Sequence, residues 1–184
     1  GNPSVDAILT DFVRDLESSN AVITVAAQHS NWTGTRADTG TTGLGGFTTC
    51  PNNATMTVAN CNTWTYKGLD SSNVIYAGEV DSSDNIPSWS NQAGETHKNQ
   101  FIVTSSDYIT TASDGGTHGN SFAAPRVAGA GALVRHKFPN LSGAQTATTI
   151  LHTADDLGVA GVDAVYGHGK LNVGKALSPV GNLH

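Results

Sequence analysis

The sequence predicts an α/β domain, and three observations carry that reading. Val5, Ile8, Leu9, Phe12, Val13 and Leu16 recur at the i, i+3, i+4 spacing of a helix with one buried face. The near-continuous apolar run Ala21-Val22-Ile23-Thr24-Val25-Ala26-Ala27 follows directly, and Val74-Ile75-Tyr76-Ala77-Gly78-Glu79-Val80 is a second such run. Runs of this kind suit parallel strands covered on both faces, and a helix leading into one is half of a βαβ unit.

The first helix starts at Ser4, whose hydroxyl can cap it, and ends at Asn20. Ala21–Ala27 is then expected to be a parallel strand buried on both faces. From Gln28 to Ser72 Gly, Thr and Asn dominate, which predicts a loop-rich insertion at about residues 30–72 with one or two short strands. The strand Val74–Val80 closes on the turn residues Asp81 to Asn85, and Phe101-Ile102-Val103 and Tyr108-Ile109 read as further short strands. A helix is predicted from about Ser121 to His136. Its Gly129 and Gly131 imply close packing, since each glycine inside a helix costs up to about 1 kcal/mol against alanine. Ser142 with Gln145 forms a capping box for the next helix, and Asn172 caps a last short one reaching Leu177. No repeat or internal boundary interrupts residues 1–184, which read as part of one domain.

Composition narrows the function. Charged residues make up 13% of the chain and the net charge is −6, with the basic residues scattered, so nucleic acid is not an expected partner. The longest apolar stretch, Ala21–Ala27, is far too short to span a bilayer. Cys50 and Cys61 fit neither zinc-site nor redox-pair spacing; a local disulfide pinning a polar loop is the preferred reading, two free thiols the alternative. A disulfide implies export, hence a secreted or cell-surface protein. No cofactor or metal is expected, and Asp81 reads as a turn residue.

The chemistry lies in Gly119-Asn120-Ser121-Phe122-Ala123-Ala124-Pro125-Arg126-Val127-Ala128-Gly129. This stretch sets a serine at a helix start after a glycine-rich turn, where unpaired N–H groups and a partial positive charge favour a developing oxyanion. Position alone makes such a serine an ordinary cap. The whole string, however, closely resembles the Gly-Thr-Ser-Met-Ala-Ala-Pro-His-Val-Ala-Gly signature around the nucleophile of subtilisin-like serine peptidases. Val74 to Ser83, Ser88-Trp89-Ser90-Asn91, Lys137-Phe138-Pro139-Asn140 and Tyr166-Gly167-His168-Gly169-Lys170-Leu171-Asn172-Val173 resemble further motifs of that family. Thr153 to Gly158 and Gly161 to Tyr166 are most similar to the subtilases of bacterial autotransporters. The resemblance implies a mostly parallel sheet with helices on both faces, of which this chain is the C-terminal half, and a serine endopeptidase acting on polypeptides with Ser121 as nucleophile.

The family's base and orienting carboxylate precede the serine in chain order. Its His-Gly-Thr-His setting is absent here, and so is any Asp-x-Gly standing before one. His118, three residues from Ser121, is a weaker substitute; the preferred reading places Asp and His on an N-terminal fragment of the same enzyme. The family's oxyanion strand ends in Ala-Ala-Gly-Asn, whereas this chain has Ala26-Ala27-Gln28-His29-Ser30-Asn31. An ungapped reading puts His29 on the donor position, with Ala26 and Gln28 as substrate-binding residues. Asn31 takes that position if the turn is two residues longer, and Asn120 offers an additional amide. A third reading is impaired activity, which favours a non-catalytic module that keeps the fold to bind polypeptides or a partner.

Overall fold

The first apolar run forms β1 (Ile23–Ala26). An antiparallel pair follows, β2 (Thr48–Thr49) and β3 (Asn62–Thr63), and then β4 (Val74–Val80) and β5 (Phe101–Ser105). These elements belong to a computed structural model that describes residues 14, 15, 18–27, 48–49, 62–63, 71–87, 90–105 and 119–179. Strands β1, β4 and β5 make one parallel sheet in the order β1-β4-β5, with Ala26 opposite Ala77 and Tyr76 opposite Phe101. Tyr108-Ile109, Cys50, Cys61 and most of 30–72 lie outside the described residues.

All seven residues of β4 are buried, as a central strand between two packed layers requires. Strand β1 departs from expectation: every residue in it is only half-buried. It is the sheet's edge, pairing among the described residues with β4 alone. The opposite edge is covered, because residues 168–171 run along β5. His168 N donates to Phe101 O (2.9 Å), Val103 N to Gly169 O (2.8 Å) and Leu171 N to Val103 O (2.8 Å).

Helices lie on both faces. The short α1 (Gly94–His97) sits on the face of Val74, Tyr76, Phe101 and Val103, where the rings of His97 and Tyr76 are 5.1 Å apart. The longer α2 (Asn120–Lys137) and α3 (Gly143–His152), with the short α4 (Val173–Ala176), cover the face of Ile75, Ala77 and Ile102. Both expected caps form. Ser142 Oγ accepts from Gln145 N while Gln145 Oε1 accepts from Ser142 N, and Asn172 Oδ1 accepts from Lys175 N.

The first turn of α2 is bonded to Ala27 and Arg135 in its last turn to the Asn20 carbonyl, so α2 runs antiparallel to β1 along the strand's whole length. The close packing expected at its glycines is not found among the described residues. A methyl group on Gly131 would meet Val22 and Ile150 at an ordinary 3.8 Å, and one on Gly129 would meet nothing within 4 Å. Backbone approach is closest at Gly143 instead, where a Cβ would collide with the Ala21 carbonyl and the N–H donates to Asn20 Oδ1 at 2.7 Å.

Candidate active site

Gly119 adopts φ 149° and ψ 152°, a region that side chains exclude, and the chain turns there into α2. Asn120 and Ser121 therefore open the helix, and Phe122 N donates back to Gly119 O at 2.8 Å. Ser121 is exposed to solvent, whereas Asn120 beside it is wholly buried. N–H groups in a first helical turn have no carbonyl within the helix to bond, and eighteen residues of aligned peptide dipoles leave partial positive charge at this end. Pro125 adds to the asymmetry: it has no N–H to offer the Ser121 carbonyl four residues earlier.

Packing sets this helix start at the carboxyl end of the parallel sheet. Asn120 Nδ2 donates to Ala27 O at 3.2 Å, and Ala27 N donates to Ala77 O at 2.9 Å. Ser121 is thus brought to the end of β1, beyond Ala26, the strand's last residue. Gln28, His29, Asn31 and His118 lie outside the described residues. The side-chain amide of Asn120 is thus bonded to the β1 carbonyl inside the protein. Its Oδ1 accepts from the hydroxyl of Ser90, a fully buried residue, at 3.0 Å. Ser90 was visible in sequence only as part of a family-like motif, with nothing to indicate this bond.

Three of the described histidines stand elsewhere. His136 closes the last turn of α2, about 22 Å along the helix axis from Ser121. His152 and His168 stack at 5.3 Å near the start of β5, where His168 Nε2 lies 3.1 Å from Asn99 O. Burial holds the His168 imidazole below its ordinary pKa, against the opposing pull of that carbonyl. Asp81 serves its own turn, its Oδ1 accepting from Ser83 N at 2.8 Å and Asn85 N at 3.0 Å. Among the described residues no three His, Cys, Asp or Glu side chains cluster as metal ligands, and no helix is long and apolar enough to cross a membrane. A groove of about 830 Å³ runs between the outer face of α2 at Gly129 and Leu133, the end of β5 and residues 170–173; Ser121 does not line it.

Comparison with known proteins fixes the family. The sequence model of the subtilase family matches residues 17–169. The chain belongs to the subtilase family. Among curated relatives, this subtilase chain is 34% identical over 117 residues to serotype-specific antigen 1 of Mannheimia haemolytica, covering 58% of the chain and 12% of that protein. It is 42% identical over 64 residues to an extracellular serine protease of Serratia marcescens, covering 35% and 6% respectively. With subtilisin DY of Bacillus licheniformis it shares 39% identity over 102 residues, 54% of the chain and 35% of the relative. The chain thus spans well under half the length of each of these relatives. Among solved structures, MycP1 from Mycobacterium smegmatis superposes with a TM-score of 0.61 at 21% identity, over 90% of this chain and 43% of that one. A chain in the periplasmic assembly of the ESX-5 inner membrane complex does so with 0.66 at 23%, over 100% and 46%. These two likenesses bear on the fold, a parallel sheet layered with helices.

Proposed function

We propose that this chain is the C-terminal half of an exported serine endopeptidase, and that polypeptide substrate acylates Ser121. The observation that carries the reading is an exposed serine at the start of α2, at the carboxyl end of a parallel sheet, within a string that matches the family's nucleophile motif. In this mechanism Ser121 Oγ attacks the scissile carbonyl while a histidine, oriented by an aspartate, takes its proton. Both come from an N-terminal portion of the same enzyme. The oxyanion receives the Ser121 N–H and a second donor from the turn after β1, where His29 is the first candidate and Asn31 the next. Ala26 and Gln28 flank the substrate.

Two features support a further portion of the enzyme packing here. The outer edge of β1 has no partner among the described residues, and the outer face of α2 leaves Leu133 50% exposed beside the open Gly129. A Cys50–Cys61 disulfide belongs to the same reading, because the neighbouring residues Thr49 and Asn62 are cross-strand partners. Relatives that are extracellular proteases support an extracellular or cell-surface location.

The test is labelling of the complete enzyme with a fluorophosphonate probe. Ser121 is expected to carry the label, and Ser121→Ala to abolish both labelling and peptide hydrolysis. Label on another serine, or none on correctly folded enzyme, overturns the assignment and favours the polypeptide-binding module.

A further inference from the structure

Asn120 and Ser90 form a buried polar link between three separate chain segments, and the link lies immediately behind Ser121. Both residues have no solvent exposure. The Ser90 hydroxyl donates to Asn120 Oδ1 at 3.0 Å, with its own neighbour's carbonyl, Asn91 O, farther away at 3.3 Å. Asn120 Nδ2 in turn donates to Ala27 O at 3.2 Å. Ala27 is itself anchored to the central strand through Ala77 O. Cut off from water, each of these groups depends on its protein partner, and the geometry is correspondingly hard to relax.

We infer that Asn120 and Ser90 are positioning residues, which hold the nucleophile in fixed register with the end of β1. The inference rests on the peptidase reading above. Two parts of the reaction centre come from distant sequence: Ser121 from the start of α2, and the second oxyanion donor from the residues after Ala27. Their relative placement must be kept to a fraction of an ångström, because a shift of about 1 Å costs on the order of a hundredfold in rate. Because α2 enters through Gly119, the residue type with most conformational freedom, a bond from the next residue adds constraint at this junction. Asn120 is that residue, with one arm on the β1 carbonyl and the other held by Ser90. Neither residue touches substrate; each acts through the atoms it aligns.

The experiment uses the complete enzyme with four variants: Ser90→Ala, which removes one donor; Ser90→Thr, which keeps the hydroxyl; Asn120→Asp, which keeps the shape and loses the donor to Ala27; and Ser121→Ala as the blank. Peptide kcat and KM, the rate of fluorophosphonate acylation and the thermal midpoint are measured, with rates expressed per folded molecule. Ser90→Ala and Asn120→Asp are expected to lower kcat and the acylation rate together by about ten- to a hundredfold with KM little changed, and Ser90→Thr to restore most of the loss. If Ser90→Ala and Asn120→Asp lower only the thermal midpoint and acylate at the wild-type rate, the link is structural and the inference is overturned. A wild-type enzyme that is not labelled at Ser121 is a different failure, which removes the peptidase reading and this inference with it. Should Asn120→Asp not fold, the Ser90 pair decides alone.

Discussion

His168 occupies a point where burial and hydrogen bonding pull a titrating group in opposite directions. Burial is the stronger influence, so the folded chain holds the imidazole proton less tightly than the unfolded chain, whose ordinary value is 6.5. His152, stacked at 5.3 Å, opposes protonation further. As pH falls below about 6.5 the unfolded chain therefore binds the extra proton first. The stability contributed by the neutral ring is complete above that pH and declines below it. The urea midpoint of the complete enzyme is expected to fall between pH 7.5 and 5.5, and His168→Gln to flatten that part of the profile. A wild-type midpoint that rises on acidification contradicts the assignment. Asp155 acts in a separate, lower window, because its bond with Lys175 keeps the carboxyl below its ordinary 3.8.

Among the elements, α2 and α3 make the same residue type serve opposite needs. Gly131 has room for a methyl group at 3.8 Å from Val22 and Ile150, while Gly143 has the Ala21 carbonyl where its Cβ would be. Gly131→Ala is expected to be neutral or to raise stability by up to about 1 kcal/mol, and Gly143→Ala to lower it by about 1–3 kcal/mol. Thermal unfolding of both variants checks the contrast; equal effects contradict it. Sequence patterns could not separate the two glycines, because propensity registers only the cost of glycine in a helix. Atoms that decide the contrast come from Val22 and Ala21, more than a hundred residues away. The caps at Ser142 and Asn172 and the strand Val74–Val80 were legible, since each depends on residues adjacent in sequence. The half-exposure of β1 was not, because an apolar run is the same text at a sheet's edge as in its middle. The bond of the Asn120 amide is beyond sequence patterns for a related reason: its acceptor is the carbonyl of Ala27, 93 residues away.

For the whole molecule, the outer edge of β1, which has no strand partner among the described residues, is an unfinished surface. Its completion by an N-terminal portion leads to a prediction: the 184-residue chain alone hydrolyses peptides poorly, and adding the complementary portion restores turnover and cooperative unfolding. A chain that is monomeric, cooperative and fully active by itself contradicts this. Ser121 stands on the helix that borders that surface, so reaction order becomes a report on covalent connectivity. With the two portions as separate chains, the rate at low concentration grows with the product of their concentrations. Joined by peptide bonds, they meet at an effective concentration near the millimolar range, and the rate stays proportional to enzyme under any dilution. A dilution series would thus tell a nicked or split enzyme from a continuous one.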